Sequence, residues 1–418
     1  MTSTASVFSL EGKGLKLDTA ADVEPHIKAL RENSTVTEIR LGGNTLGVEA
    51  SKALADVLET KTTLQVANLD DIFTSRLLNE IPQALSSLLS ALLKLPSLHT
   101  VDLSDNAFGL NTQAPLVEFL SQHTPLRHLI LKNNGLGPKA GTLIADALST
   151  LHEKKESAKK EGKEDVPELE TVICGRNRLE NGSMEAWAKA FSLHKGVKEV
   201  KMVQNGIRQE GIAHLLKEGL RYATSLRVLD LQDNTFTILG ARALVGVVNS
   251  WTDLTELGVS DCLLTARGGI VLADSLSKGQ NSKLEILRLQ YNDIDSKGLK
   301  GFAIATKSHL PSLKRLELNG NKFSEEDPVV DELRELLDER NGDKDGDEEE
   351  WGLDDLSDLE EESDEDEEED EEKEEEEEEE EKAEKIIKEA DKAENENVAQ
   401  EDDKSVDALA DQLGKTGL

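Results

Sequence analysis

The feature that most constrains this chain is an eleven-residue pattern, L-x-x-L-x-L-x-x-N-x-L, which recurs along most of its 418 residues. Val, Ile, Met or Phe sometimes replaces a leucine. The copy from Leu254 has Cys262 at the asparagine position, and residues 5–15 form a degenerate first copy. Most consecutive asparagine positions are 28 to 30 residues apart. The eight copies that carry the asparagine begin at Val36, Leu98, Leu126, Leu169, Val197, Leu226, Leu284 and Leu313.

Each part of the pattern has a physical role. The L-x-L pair places two apolar side chains on one face of a short strand. The asparagine amide both donates and accepts, so it can satisfy backbone groups where the chain turns away from the strand. Segments between copies have helical spacing, as in Ala50, Ala53, Leu54, Val57 and Leu58. Because one unit cannot bury its apolar face alone, we predict an α/β leucine-rich-repeat solenoid, a ribonuclease-inhibitor-like crescent of about 11 repeats.

Two breaks interrupt the repeat. The step from Asn134 to Asn177 is longer than the others, and its extra residues include a charged stretch that we predict to be an insertion loop, 153–165. The copy that begins at Leu64 has Ile72 at the asparagine position, and the sequence Phe-Thr-Ser-Arg follows it. A functional constraint that overrides the consensus is expected at this second break.

The charge of the chain is concentrated at its C-terminal end. Residues 343–418 hold 39 acidic and 8 basic side chains, although the whole chain has 85 acidic and 48 basic ones. Such a segment cannot bury enough apolar area to offset the entropy of ordering. We therefore predict a repeat domain over 1–342 and an acidic, disordered tail over 343–418. The tail would repel phosphates, so no nucleic-acid binding is expected.

Other composition signals exclude several classes of protein. The N-terminal residues lack the apolar core of a secretory signal, and the longest uncharged apolar stretch, 81–93, is too short to span a membrane. The two cysteines occupy repeat positions, which favours a reducing, cytosolic or nuclear setting. The sequence contains neither a GxxxxGK[ST] loop nor a G-x-S-x-G elbow. We expect no membrane insertion, no cofactor, no metal site and no enzyme chemistry of its own.

Candidate functional residues lie near the asparagine positions. Arg76 follows the copy that lacks its asparagine; a solvated loop arginine is the alternative interpretation. Asn133 directly precedes the repeat asparagine Asn134, on an exposed lip, where generic polar filler is the alternative. Equivalent or adjacent positions form a polar edge that suits a protein partner, and the candidate partner-binding residues are Asp105, Lys132, Arg176, Gln204, Asp233 and Tyr291.

Several segments go beyond the leucine consensus. DDIFTSR from Asp70, LSDNAFG from Leu103, LKNNGLGP from Leu131, CGRNRLENGSM from Cys174 and LELNGNKFSEED from Leu316 resemble the family of Ran GTPase-activating proteins. The likeness covers the whole predicted crescent, and the acidic tail matches in kind. Because no globular domain follows the tail, the chain resembles the shorter, fungal-type form of the family.

The resemblance implies an activator and not an enzyme, because Ran itself binds GTP and Mg²⁺ and performs the hydrolysis. By position, Asn133 matches the family's asparagine that orients Ran's own glutamine, and Arg76 matches an essential arginine with a supporting or docking role. The implied partner is Ran in its GTP form, together with a Ran-binding protein. The implied process is nucleocytoplasmic transport, with a cytoplasmic location that could extend to the nuclear-envelope periphery or, in part, to the nucleus.

Two other function classes remain open from the sequence. A non-catalytic leucine-rich-repeat scaffold or inhibitor would share the crescent but would not need the break at Ile72. An acidic histone-binding protein would share the tail, although such proteins usually have far fewer repeats. A GTP-hydrolysis assay with Ran separates the three.

Overall fold

Each copy of the repeat folds into one short strand in the computed structural model, which describes residues 6–163, 166–341 and 351–360. Over those residues, twelve parallel strands pair in chain order to form the main sheet. They are β1 (Val7–Ser9), β3 (Glu38–Arg40), β5 (Val66–Asn68), β6 (Thr100–Asp102), β7 (His128–Ile130), β8 (Thr171–Ile173), β9 (Glu199–Lys201), β10 (Val228–Asp230), β11 (Glu256–Gly258), β12 (Ile286–Arg288), β13 (Arg315–Glu317) and β14 (Gly352–Leu353). A second sheet contains β2 (Lys16–Leu17) and β4 (Thr45–Leu46).

The register of the main sheet aligns equivalent repeat positions. Val101 of β6 pairs with Leu129 of β7, and Leu129 pairs with Val172 of β8. These central strand residues are fully buried, whereas their neighbours on either side are mostly only half-buried. Alternation along each strand therefore directs one side chain per strand into the core. The predicted fold class and its eleven repeats are confirmed, and β14 is an additional strand.

Helices cover the other side of the core and pack against one another in chain order. They are α1 (Ala20–Glu32), α2 (Val48–Leu58), α3 (Ile81–Leu92), α4 (Gln113–Gln122), α5 (Gly137–Lys160), α6 (Met184–Leu193), α7 (Gln209–His214), α8 (Thr237–Val248), α9 (Thr265–Leu276), α10 (Ser296–Ser308) and α11 (Pro328–Asn341). Thr19 and Asp22 form a capping box that begins α1. Because a helix is about 10 Å wide and strands are about 4.8 Å apart, the stack curves with the sheet on its inner side.

The predicted insertion loop at 153–165 is wrong for residues 153–160, which continue α5. Ala158 is buried there, and the buried Lys155 Nζ donates to the carbonyls of Thr124, Leu126 and Pro167 at 2.6–2.8 Å. Alanine, lysine and glutamate favour helix, and these contacts attach the extra turns to the domain. Residues 164 and 165 lie outside the described residues.

The C-terminal boundary also differs from the prediction. Residues 351–360 fall within the predicted tail, yet β14 pairs in parallel with β13, and Leu356 is buried. The Asp354 carboxylate accepts the backbone N–H groups of Leu318 and Asn319 at 2.7 and 3.0 Å. This segment therefore closes the end of the sheet. The disorder predicted for the tail over 343–350 and 361–418 concerns residues outside those described. No helix in the described part of the chain has the length and apolarity needed to cross a bilayer.

Candidate functional site

A row of buried asparagine side chains fixes the backbone where the strands end. At Asn134, Nδ2 donates to the carbonyls of Leu131 in the same repeat and Leu103 in the preceding one, each at 3.0 Å. Its Oδ1 accepts the backbone N–H of Asn106 at 3.0 Å. We call this side of the domain the ladder edge. The ladder asparagines, all buried, are residues 44, 106, 134, 177, 205, 234, 292 and 321.

Lys13, Ile72 and Cys262 occupy the ladder position in the three repeats that lack the asparagine. The residue before each of the eleven ladder positions has a left-handed backbone, with φ between 43° and 71°. Asparagine, aspartate and glycine tolerate this conformation, but arginine, glutamine and tyrosine rarely adopt it. Arg176, Gln204 and Tyr291 therefore mark turns where a side chain is retained in a costly conformation. We call this set the rim residues: Gly12, Gly43, Asp71, Asp105, Asn133, Arg176, Gln204, Asp233, Asp261, Tyr291 and Gly320.

The predicted site residues, apart from Arg76, lie along this rim. Asn133 and five of the six candidate partner-binding residues are rim residues, and Lys132 directly precedes Asn133. All are exposed except Asp233, which is half-buried. The Tyr291 hydroxyl donates to Asp358 at 2.9 Å, so the far end of the rim contacts the C-terminal segment. The partner-binding roles of these side chains stay predictions.

Asn133 presents part of its amide to solvent. Its backbone N–H donates to the Gly175 carbonyl at 2.9 Å, which ties the turn to the next repeat. Its Nδ2 donates to Oδ1 of Asp105 at 2.7 Å. Among the described residues, no hydrogen bond reaches Oδ1 of Asn133. The side chain therefore offers an acceptor and one N–H to a partner.

Arg76 is half-buried as a residue, but only 7% of its side chain is exposed, so the interpretation as a solvated loop arginine is wrong. Its Nε donates to the Thr45 hydroxyl at 2.8 Å, and Nη1 forms an ion pair with Asp18 at 2.5 Å. Nη2 donates to the carbonyls of Thr45 and Leu17 at 2.8 and 3.3 Å. The guanidinium thus joins its own loop to the first two repeats.

The break in the consensus at Ile72 has a packing explanation. Ile72 and Phe73 are both buried, and the Phe73 ring lies 6.3 Å from that of Phe108. Apolar packing replaces the amide at this ladder position. The loop that follows exposes Leu77 and Leu78, at 67% and 65%, two side chains that the repeat pattern does not single out. The loss of the repeat asparagine was the available signal for this exposed apolar pair.

Carboxylates influence one another at two places along this edge, which gives both places a negative field. Burial raises the pKa of Asp70, and the charge of Asp102 raises it further. Burial likewise raises the pKa of Asp233, with help from Asp261. This field suits a basic partner surface. In the described residues, no group of three or more histidine, cysteine or carboxylate side chains could hold a metal ion.

Comparison with known proteins identifies relatives of this chain. A family model described as Leucine Rich repeat matches residues 222–245 and 280–303. The chain is 42% identical over 341 residues to Ran GTPase-activating protein 1 of Saccharomyces cerevisiae, covering 80% of this chain and 82% of that protein. It is 36% identical over 336 residues to the Ran GTPase-activating protein of Drosophila melanogaster, covering 79% and 55%. A ribonuclease inhibitor of Sus scrofa is 23% identical over 358 residues, covering 77% and 73%.

Proposed function

The chain belongs to the family of Ran GTPase-activating proteins, and from that premise we propose that it accelerates GTP hydrolysis by Ran through Asn133, which positions the GTPase's own catalytic glutamine. The observation that carries this proposal is the exposed, partly unpaired amide of Asn133 on the rim. A carboxamide can accept from and donate to a glutamine side chain at once, and it adds no charge.

Positioning is a sufficient role for such a residue. Phosphoryl transfer needs mainly a correctly placed water and stabilisation of charge, and Ran would supply GTP, Mg²⁺ and the glutamine. Activators of small GTPases contribute about 10³–10⁵-fold, or about 4–7 kcal/mol of barrier. The ladder bonds of Asn134 hold the backbone next to Asn133, which limits the freedom that the amide must lose in the complex.

Arg76 is assigned a supporting role. Its guanidinium makes four contacts within the chain, to Asp18, Leu17 and two atoms of Thr45. To reach a partner's nucleotide, it would have to give up all four contacts, including the ion pair with Asp18. Arg76 instead holds the loop that carries Leu77 and Leu78 at the rim. This role accounts for an arginine that is needed for activity without acting as an arginine finger.

The biological setting follows from the same proposal. The partner is Ran in its GTP form, assisted by a Ran-binding protein, and hydrolysis takes place in the cytoplasm to give nucleocytoplasmic transport its direction. The acidic residues of 343–418 would raise the association rate by long-range attraction to a basic surface of Ran. Ionic strength should therefore lower the association rate more than the rate of hydrolysis within the complex.

Single-turnover hydrolysis of GTP on Ran, measured over a range of activator concentrations, tests the assignment. We expect Asn133→Ala to lower the maximal rate about 10²-fold or more. Arg76→Ala should lower stimulation at least as much because its loop is released. Lys300→Ala, an exposed change on α10, is the control for handling and folding. If both site variants stimulated hydrolysis as well as the unmodified chain, the site assignment would be wrong.

A further inference from the structure

We infer that Asp105 is a positioning residue that fixes the orientation of the Asn133 amide, and so determines which atom Asn133 presents to the partner. The catalytic consequence rests on the function proposed above, but the orientation itself does not. The inference begins from the hydrogen bond between Asn133 Nδ2 and Asp105 Oδ1 at 2.7 Å.

The backbone sets these two side chains next to each other. Asp105 and Asn133 occupy the same rim position in consecutive repeats, with φ values of 59° and 54°. The Asp105 N–H donates to the Lys132 carbonyl at 2.9 Å, so the two turns are joined directly. Their strands, β6 and β7, are hydrogen-bonded neighbours about 4.8 Å apart. Two short side chains at this spacing can meet without long, flexible stems.

The chemistry of the pair selects one of two amide orientations. An ionised carboxylate can only accept hydrogen bonds, so it can bind the NH₂ end of the Asn133 amide but not its oxygen. A rotation of the amide by 180° would place two oxygens against each other. The bond is also charge-assisted, which makes it stronger than a bond between neutral groups. Asp105 therefore holds Nδ2 toward itself and leaves Oδ1 directed elsewhere.

The rim residue on the other side of Asn133 favours the same orientation. Arg176 follows in the next repeat, is exposed, and carries only donors. A guanidinium can donate but cannot accept, so Arg176 does not compete with Asp105 for the NH₂ group of Asn133. An amide held in this way offers its acceptor to the N–H of an incoming glutamine. If Asp105 were absent, the amide would sample both orientations, and part of the population would present the wrong atom.

A double-mutant cycle in the single-turnover assay with Ran tests this inference. We expect Asp105→Ala to lower the maximal rate about ten-fold, with less than about a two-fold change in the concentration for half-maximal stimulation. Asp105→Asn should recover only part of the rate, because its carboxamide oxygen can still accept from Asn133 but its NH₂ group can also donate to Oδ1 and favour the reversed orientation. In the Asn133→Ala background, Asp105→Ala should have no further effect.

Two results of the cycle would overturn the inference. An equal loss from Asp105→Ala in both backgrounds would show that Asp105 contacts the partner independently of Asn133. A loss in Asp105→Asn as large as in Asp105→Ala, expressed mainly as weaker half-maximal stimulation, would show that its charge serves docking.

A measurement without Ran separates this inference from the proposed function. The Asn133 side-chain N–H signals, assigned by their loss in Asn133→Ala, should shift and exchange faster with solvent in Asp105→Ala. They should stay unchanged in Asp261→Ala, which alters a distant rim carboxylate. Unaltered signals in Asp105→Ala would refute the orientation, whatever the kinetics show. Altered signals with normal stimulation by Asn133→Ala would support the orientation and refute the proposed role of Asn133.

Discussion

The two edges of the repeat stack satisfy open backbone carbonyl groups with different kinds of side chain. On the ladder edge, a neutral carboxamide at a fixed position donates to carbonyls of its own repeat and the preceding one. On the opposite edge, where helices end and the next strands begin, a donor side chain again reaches the carbonyls of an earlier repeat. We call this side the turn edge, and its donors are Lys61, His123, Lys155, His194, Trp251, Asn281 and Arg340.

The difference follows from the backbone groups that each edge leaves open. Turns at the ladder edge expose both N–H and C=O groups, and asparagine can satisfy both at once. Helix C-termini at the turn edge expose mainly carbonyls, so any donor serves, including a charged or titratable one. The ladder asparagines therefore hold the backbone of this edge without titrating, which suits a site that needs fixed geometry. The turn edge makes the stability of the domain depend on pH.

The largest expected effect on stability lies on the ladder edge, where two adjacent asparagines should respond differently to substitution. Asn134→Ala removes a buried amide and leaves the N–H of Asn106 without its acceptor. We expect a loss of about 4–5 kcal/mol in the free energy of unfolding. Asn133→Ala, one residue away and exposed, should cost only about 1 kcal/mol, because alanine is strained at a φ of 54° but no buried group loses its partner. Urea unfolding of the two variants measures both, and similar losses would contradict the division between ladder and rim.

The next largest effect is a loss of stability in acid, caused by the titratable donors of the turn edge. His123 and His194 each use Nε2 as the donor to a carbonyl, and burial lowers the pKa of each ring to about 4. The unfolded chain binds protons to these rings near pH 6.5, but the folded chain resists protonation down to about pH 4. Their contribution is therefore present above pH 6.5 and is lost as the pH falls toward 4.

Between pH 8 and pH 5 we expect the two histidines together to remove about 4 kcal/mol of stability. The variant His123→Gln with His194→Gln keeps an N–H donor at each site but cannot titrate. Its free energy of unfolding should fall less steeply with acid than that of the unmodified chain. His214→Gln, on an exposed position, is the matched control. An unchanged pH dependence in the double variant would exclude these rings as the cause.

Arg76, a charged donor near the break in the ladder, gives a further test of the comparison between the two edges. Where Ile72 replaces the asparagine, Arg76 donates to the carbonyls of Leu17 and Thr45, much as basic side chains do on the turn edge. We expect Arg76→Ala to lower the free energy of unfolding by about 2 kcal/mol. Hydrogen exchange should increase mainly in residues 73–80. Arg76→Lys should restore only part of the protection, because an ammonium lacks the planar fork. Uniformly faster exchange along the domain would contradict a local anchor.

The parts of this architecture that the sequence predicted are those set by the repeat itself. A fixed spacing places equivalent positions beside one another, so the ladder and rim could be assigned from residue order alone. Arg76 could not be placed, because its contacts, Asp18 and Thr45, lie 58 and 31 residues away and follow no repeat position. The bond from Asn133 to Asp105 depends on side-chain direction, which the spacing does not encode.

Two charged segments differ from the prediction, because composition alone does not reveal the contacts that order them. Residues 153–160 look like a solvated loop until Lys155 is seen to be buried against three carbonyls. Residues 351–360 look like the start of the tail, yet a few apolar side chains, including Leu356, and one buried carboxylate, Asp354, attach them to β13. In both cases a small number of contacts with distant residues offsets an unfavourable composition.

The smallest predicted effect on stability concerns Lys155, and it occurs at alkaline pH and not at acidic pH as for the histidines. Burial lowers the pKa of its ammonium to about 7, from an ordinary value of 10.5. Between those values the unfolded chain holds the proton more tightly, so stability rises with pH from about 7 and levels off near 10.5. We expect a gain of about 1–2 kcal/mol between pH 7 and pH 8.5. Lys155→Met should lack this gain, whereas Lys154→Met, an exposed change in the same turn, should keep it. Urea unfolding at the two pH values measures these gains in the free energy of unfolding. Equal gains in the two variants would mean that the three carbonyls keep Lys155 charged throughout this range. The pH dependence of the turn edge would then come from its histidines and not from Lys155.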